Sequence, residues 1–199
     1  MIGEGNLGLL LKIGNREIVG GRVVCAIIGL ISFTVFTALG AFVYIPLPFT
    51  PVPITLQTFF VLLAGAALGR RLGSLSQFGY VALGSLGLPI FAGALGGMAC
   101  LIGPTGGYLI GFVLAAYVVG RLIGMRQSPS FIYITLAMAV GSMVIYLLGT
   151  VQLAFVLHCS IAEAALLGVV PFIPGDALKV TAAATVYSRS QRRFREIFP

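Results

Sequence analysis

The chain has 199 residues, of which 59% are hydrophobic and 9% are charged, and its mean hydropathy is +1.09. Because a soluble domain carries about 25% charged residues, this composition excludes an ordinary soluble protein. The formal net charge of +7 would point to a nucleic-acid partner in a soluble protein, but here the basic residues sit at the ends of apolar segments.

The first 22 residues are predicted to form a short lead-in helix on the cytoplasmic side. Their apolar run, 7–11, is too short for a secretory signal, and no small-residue cleavage pattern follows it. We expect a single membrane domain over 23–188 and a basic cytoplasmic tail over 189–199.

The membrane domain is predicted to contain six spanning helices. Residues 23–69 and 72–120 contain no charged side chain, and each stretch is too long for one span of about 20 residues but suits two joined by a turn. The last third of the chain adds two more. The predicted spans are 23–45, 54–69, 73–91, 108–120, 131–157 and 174–188.

The basic residues fix the predicted orientation of these spans. Lysines and arginines gather on the cytoplasmic side of membrane proteins, and in the six-span arrangement every basic residue except Lys179 falls on one side. Both termini are therefore predicted to be cytoplasmic. The basic residues on that side are Lys12, Arg16, Arg22, Arg70, Arg71, Arg121, Arg126, Arg189, Arg192, Arg193 and Arg195.

Two outer connections have unusual compositions. The first, PLPFTPVP at 46–53, cannot be helical because its prolines lack backbone donors. The second, 92–107, is rich in glycine but lacks the lysine and hydroxyl of a phosphate-binding loop. Non-helical backbone near the membrane must line a cavity or be buried in protein. After it, Gly107, Gly111 and Ala115 share one helix face and predict close helix packing.

Metal chemistry is not expected. The chain has one histidine, His158, and no CxxC pattern. We expect Cys25, Cys100 and Cys159 to be small buried apolar residues. His158 and Glu163 fall in the connection before the last span, where a solvated surface position is expected.

Asp176 and Lys179 are the residues that most need an explanation. An acid or a lysine at the bilayer centre costs roughly 2.5–3.5 kcal/mol, and these two lie three residues apart on one face of the last predicted span. One interpretation is a first-turn acid, favoured by the helix dipole, beside a lysine that reaches outward to water. The other is a polar pair that faces the interior of the bundle and holds a small polar ligand.

Three further polar residues are expected at the same outer depth. Thr55 and Gln57 lie at the start of the second span, and either could cap the helix or donate to a pocket. Tyr108 opens the fourth span, where a tyrosine is often an interfacial anchor. A ligand site at the outer mouth, with few aromatic residues, is the prediction that these positions support.

Four motifs resemble the BioY family, the biotin-specific, substrate-binding S components of energy-coupling factor (ECF) transporters. They are PFTPVPITLQTFFVLLAGAALG (48–69), GLPIFAG (87–93), GPTGGYLIGFVLAA (103–116) and PFIPGDALK (171–179). The resemblance implies the S-component fold and a multi-pass protein of the cell membrane. It also implies high-affinity capture and uptake of biotin without enzymatic activity and without a cofactor.

The resemblance also implies a site, a lid and partners. Asp176 and Lys179 match the family's PGD..K motif and are expected at the ureido ring of biotin. Gly93 lies where some members carry an asparagine, so its backbone would serve there. A coupling transmembrane subunit and two ATP-binding subunits would supply energy. The expected lid residues are Pro48, Phe49, Thr50 and Pro51.

Three other functions stay open on the sequence alone. An S component for another small vitamin, such as thiamine or riboflavin, would suit a pocket with more aromatic residues. A membrane-embedded enzyme would have to use Asp176 and Lys179 as its acid and base. A channel would need polar residues along a continuous path, and the inner halves of the predicted spans are almost wholly apolar.

Overall fold

The computed structural model describes residues 4–198, with side chains from residue 21 onward. Seven α-helices, one short hairpin and one 3₁₀ helix make up this part of the chain. In order they are α1 (Glu4–Phe42), β1 (Tyr44–Ile45), β2 (Ile54–Thr55), α2 (Gln57–Ser85), α3 (Met98–Ile102), α4 (Gly106–Gly124), α5 (Phe131–Leu157), α6 (Ile161–Gly168), the 3₁₀ helix Val170–Phe172 and α7 (Ile173–Ile197).

The described part of the chain is mostly helical, as predicted, and it also contains the hairpin β1–β2. Within the described residues, five helical stretches are long and apolar enough to cross a membrane. They are Gly21–Phe42, Gln57–Ser85, Gly106–Gly124, Phe131–Leu157 and Ile161–Ile197. The last of these stretches joins α6 to α7 through the 3₁₀ helix.

Helix α2 is bent back on itself at Gly69. This residue has φ 76° and ψ 178°, a backbone conformation outside the helical region that glycine adopts without steric cost. The arms 57–68 and 70–85 then pack together, since a Cβ placed on Gly73 would lie only 2.8 Å from the carbonyl oxygen of Ala64. The predicted second and third spans fall on these two arms.

The predicted bounds of the first three spans are wrong at their outer ends. Ile45 and Ile54 were expected in helices, but they pair in the antiparallel hairpin β1–β2 that carries the proline loop. The third span was expected to reach Phe91, whereas α2 ends at Ser85. The chain turns there because Gly87 has φ 107° and Pro89 follows.

The fourth and sixth spans are longer than predicted, whereas the fifth has the predicted bounds, Phe131–Leu157. Helix α4 begins at Gly106 instead of Tyr108 and continues to Gly124. Helix α7 continues through most of the predicted tail to Ile197. The tail is held by side-chain contacts: Phe194 stacks on Tyr187 at 6.0 Å between ring centroids, and the Arg195 guanidinium donates to the carbonyl oxygens of Arg126 and Gln127.

The outer connections contain short helices that the sequence did not predict. Helix α3 lies within the glycine-rich stretch, and α6 lies within the connection before α7. Helix α6 has a capping box, in which Ser160 accepts from the backbone N–H of Glu163 and the Glu163 carboxylate accepts from the backbone N–H of Ser160. Glu163 and His158 are exposed, as expected.

Glycines allow α2, α4 and α5 to approach closely. A Cβ on Gly65 of α2 would lie 2.5 Å from the carbonyl oxygen of Ala116 in α4, and a Cβ on Gly111 of α4 would lie 2.9 Å from the Cα of Ile145 in α5. The predicted packing face on α4 is thereby confirmed. These three helices form the scaffold around which the other elements are arranged.

The substitution Gly65→Ala tests this close contact. Its methyl group would meet backbone atoms of Ala116 that cannot rotate away, so we expect a loss of about 1–3 kcal/mol of stability. Thermal denaturation of the purified protein in detergent measures it. The matched control is Gly124→Ala, because no atom lies within 4 Å of the added Cβ there. Equal stability of the two variants would contradict the close packing of α2 on α4.

Candidate ligand-binding site

A cavity of about 140 Å³ lies between the β1–β2 hairpin, α2, α4, α5 and α7. Most of its wall is apolar, and its polar groups come from several distant parts of the chain. The polar residues that line it are Thr55, Gln57, Thr58, Thr105, Asp176 and Lys179, and the aromatic ones are Tyr44, Phe91, Tyr108, Phe112, Tyr146 and Phe172. An apolar pocket with a few convergent polar groups is the usual form of a small-molecule site.

Asp176 and Lys179 form an ion pair in the wall of this cavity. Helix α7 begins next to Pro174, which places Asp176 in its first turn and Lys179 on the same face. The Lys179 Nζ lies 2.6 Å from Asp176 Oδ1, and the two side chains are 13% and 9% exposed. The interpretation in which Lys179 reaches outward to water is therefore wrong. The pair faces the interior of the bundle.

Two residues that the sequence analysis missed complete the surroundings of Asp176. The Tyr146 hydroxyl on α5 donates to Asp176 Oδ2 at 2.6 Å. The Thr58 hydroxyl on α2 accepts from Lys179 Nζ at 3.3 Å and donates to Asp176 Oδ1 at 3.4 Å. The only signal for Tyr146 was a polar side chain within an uncharged span, and nothing in the sequence placed Thr58 beside α7.

These contacts leave a small, defined set of free hydrogen-bonding positions. A carboxylate oxygen can accept two hydrogen bonds and an ammonium can donate three. Oδ1 of Asp176 already accepts from Lys179 and Thr58, whereas Oδ2 accepts only from Tyr146 among the described residues. Lys179 donates to two partners. The pair can therefore accept one hydrogen bond from a ligand and donate one to it.

Gln57 and Thr55 also lie at the cavity, and they are bonded to each other. The Thr55 hydroxyl donates to Gln57 Oε1 at 3.0 Å, and Gln57 Nε2 donates to the hydroxyl of Tyr80 at 2.5 Å. Gln57 is 4% exposed, and its side chain caps no backbone amide of α2. Of the two roles left open for Gln57, the pocket role fits this geometry.

Tyr108 lines the cavity with its ring and uses its hydroxyl elsewhere. The hydroxyl donates to the carbonyl oxygen of Gly168 at 2.9 Å, which ties α4 to the end of α6. The side chain is 8% exposed, so Tyr108 is not an anchor at the surface of the bundle. Its ring forms part of the apolar wall, and its hydroxyl positions α6.

The predicted lid and Gly93 lie at the rim of the cavity. Pro51 lines it, Thr50 is buried, and Pro48 and Phe49 are exposed at the tip of the hairpin loop. Gly93 has φ 74° and packs near the ring of Tyr44, while its neighbours Ala92 and Leu95 line the cavity instead.

The expectation of few aromatic residues at the outer mouth is wrong. The six aromatic residues of the lining belong to five separate segments of the chain, namely β1, the connection after α2, α4, α5 and the 3₁₀ helix. Each segment contributes one or two rings, so no single stretch of sequence looked aromatic. The cavity can therefore also hold a flat ring, and aromatic content does not separate the candidate vitamins.

Cysteines and metal-binding groups add little to the site. Cys25, Cys100 and Cys159 are free thiols and are only partly buried, whereas full burial was expected. Cys100 and Cys159 pack against the edge of the core. Cys100 lines the cavity. Among the side chains described, those of residues 21–198, no cluster of three or more His, Cys, Asp or Glu residues could hold a metal ion.

Comparison with known proteins identifies the family. The model of the BioY family matches residues 17–196. This chain belongs to the BioY family. It is 44% identical to the biotin transporter BioY of Thermotoga maritima over 166 residues, covering 82% of this chain and 95% of the relative. It is 38% identical to the biotin transporter BioY of Rhizobium etli over 159 residues, covering 75% and 83%.

A solved structure supports the same assignment. The fold matches the crystal structure of an S component for biotin from an ECF-type ABC transporter with a TM-score of 0.80 and 27% sequence identity. The match covers 93% of this chain and 98% of that chain. BioY proteins are transporters, so the membrane-embedded enzyme considered from the sequence is excluded.

The substitution Lys179→Met tests the ion pair in the empty site. It would leave the Asp176 carboxylate buried without its cation, so we expect a loss of roughly 1–3 kcal/mol of stability in ligand-free protein. The double variant Asp176→Asn/Lys179→Met should be more stable than Lys179→Met alone, because no unpaired charge remains.

Thermal denaturation in detergent measures both variants, and Arg192→Met is the matched control because Arg192 is exposed. A Lys179→Met protein that is as stable as the Arg192→Met protein would show that the pair is not a buried electrostatic unit.

Proposed function

We propose that this protein captures biotin at the outer face of the cell membrane, as the substrate-binding S component of an ECF transporter. The observation that carries the proposal is the Asp176–Lys179 pair in the wall of an otherwise apolar cavity, in a chain of the BioY family. Biotin combines an apolar thioether ring and aliphatic chain with two polar groups, the ureido group and the terminal carboxylate, and the cavity likewise has a few polar groups in an apolar wall.

The free hydrogen-bonding positions of the cavity suit a cyclic urea. A ureido group has two N–H donors and one carbonyl acceptor. Asp176 Oδ2 and Gln57 Oε1 each have one unused lone pair among the described residues, and Lys179 Nζ and Gln57 Nε2 each have one unused N–H. These two acceptors match the two ureido N–H groups, and the two donors match the two lone pairs of the ureido carbonyl oxygen. The aromatic walls would pack against the thioether ring and the aliphatic chain.

The orientation of the chain follows from its charges. In the proposed arrangement the two arms of α2 act as separate spans, which gives six membrane helices with both termini in the cytoplasm. The exposed arginines near the inner ends support it, because positive residues collect on the cytoplasmic side. Residues 1–22 are then the cytoplasmic lead-in, 23–188 the membrane domain and 189–199 the basic cytoplasmic end of the chain.

The hairpin loop 46–53 is proposed as the lid over the site. Its tip consists of Pro48, Phe49, Thr50 and Pro51. Two hydrogen bonds hold this tip: the Thr50 N–H donates to the carbonyl oxygen of Leu47, and the Val52 N–H donates to the Thr50 hydroxyl. Both bonds lie within the loop itself. Movement of the loop as a unit about the two-residue strands β1 and β2 would keep these bonds, and it would withdraw Val52 and Leu47 from their packing against the helices.

Energy for uptake has to come from other subunits. The sequence contains no GxxxxGK[ST] loop, so it lacks the usual means of binding ATP phosphates. We propose that a coupling transmembrane subunit and two ATP-binding subunits drive release to the inside. No cofactor is proposed, because biotin itself is the transported ligand.

Biotin binding to purified protein in detergent tests the proposal. Wild type should bind biotin with nanomolar affinity and should not bind thiamine or riboflavin at the same concentrations. Asp176→Asn and Lys179→Met should each weaken binding by roughly 10- to 150-fold, since each loses a hydrogen bond to a charged group worth about 1.5–3 kcal/mol.

Isothermal titration calorimetry measures these affinities, with Arg192→Met as the control that should bind like wild type. Stronger binding of thiamine or riboflavin than of biotin would replace the proposed substrate. Unchanged biotin affinity in both variants would move the ligand away from the ion pair.

A further inference from the structure

A buried chain of hydrogen bonds runs from the hairpin to the connection after α2. The Thr55 hydroxyl donates to Gln57 Oε1 at 3.0 Å, Gln57 Nε2 donates to the Tyr80 hydroxyl at 2.5 Å, and that hydroxyl donates to the carbonyl oxygen of Ile90 at 3.0 Å. Tyr80 is fully buried and does not line the cavity. The chain therefore joins residues at the cavity wall to a tyrosine behind it.

The direction of every bond in this chain is determined by its last member. A backbone carbonyl oxygen can only accept, so the single hydroxyl proton of Tyr80 points to Ile90. The Tyr80 oxygen is then an acceptor toward Gln57, and only the NH₂ end of the Gln57 carboxamide can face it. The carbonyl end of Gln57 must consequently face Thr55, whose hydroxyl donates to it.

We propose that Tyr80 is a positioning residue for ligand binding that acts by fixing which way the Gln57 carboxamide faces. Held in this way, Gln57 offers the cavity one N–H from Nε2 and one lone pair on Oε1, the two positions that no other described residue uses. If the Gln57 carboxamide were rotated by half a turn, its NH₂ group would stand where the ligand needs an acceptor. This inference rests on the proposed biotin function.

The fixed carboxamide suits a ligand with an N–H group and an acceptor close together, such as a cyclic urea. Gln57, Asp176 and Lys179 all line the same cavity, so the fixed carboxamide and the ion pair can address one ligand. The site then consists of two parts: a charged pair held by Tyr146 and Thr58, and a neutral amide held by Tyr80 and Thr55.

A double-mutant cycle of Tyr80→Phe and Gln57→Met tests the proposal. Tyr80→Phe keeps the ring and its edge-to-face contact with Phe91, whose centroid is 5.5 Å away, and removes only the hydroxyl. It should raise the Kd for biotin roughly tenfold in the wild-type background, since the carboxamide is no longer held. In the Gln57→Met background the same change should alter the Kd less than about twofold, because no carboxamide remains to be oriented.

Calorimetry measures the Kd of the variants that bind biotin tightly. For variants that bind it weakly, the Kd is obtained from the increase in the midpoint of thermal denaturation at millimolar biotin. The matched control is Tyr133→Phe. It also removes a tyrosine hydroxyl that donates to a backbone carbonyl oxygen, here that of Leu122 at 2.8 Å, and neither residue lines the cavity. It should bind biotin like wild type.

Two results would overturn the inference while leaving the proposed function in place. One is an equal loss of affinity from Tyr80→Phe in both backgrounds, which would make Tyr80 a structural residue. The other is no loss in the wild-type background. A wild-type protein that binds no biotin would instead overturn the proposed function, and this inference with it.

Discussion

The need to neutralise Asp176 inside an apolar bundle governs how the outer half of this protein is arranged. A buried carboxylate is tolerated only when its oxygens are bonded to donors. Here those donors come from three helices: Lys179 on its own helix, Thr58 on α2 and Tyr146 on α5. The bonds that stabilise the charge therefore also hold α2, α5 and α7 around one point. The cavity lies at that point, so its polar end is shaped before a ligand arrives.

The remainder of the scaffold depends on close contacts between backbones. Gly65 and Gly111 allow α4 to lie against α2 on one side and α5 on the other. Such contacts have no flexible side chain that could give way, so these helices form a rigid unit. The hairpin loop differs from this rigid unit, because its hydrogen bonds join residues of the loop to one another. Rigid walls and the proposed hairpin lid fit a protein that must hold its ligand and later release it.

The sequence predicted those features that depend on charge or on glycine and proline. Uncharged stretches predicted the membrane helices, and the isolated Asp176 and Lys179 predicted the polar pair. The helical packing face of α4 followed from its glycines. What the sequence could not predict depends on contacts between distant segments. Neither Tyr146 nor Thr58 carries a local signal for its contact with α7. The aromatic walls were missed for the same reason, because their six rings come from five separate parts of the chain.

Lysine is rare in this chain, and this gives the cavity a chemical property of its own. Lys12 and Lys179 are the two lysines of the sequence, and Lys179 presents its amine to the cavity. A small amine-reactive reagent that enters the cavity meets a single target there, and a bound ligand shields that target. The rate at which Lys179 is acylated therefore reports whether the site is occupied, without any label added to the protein.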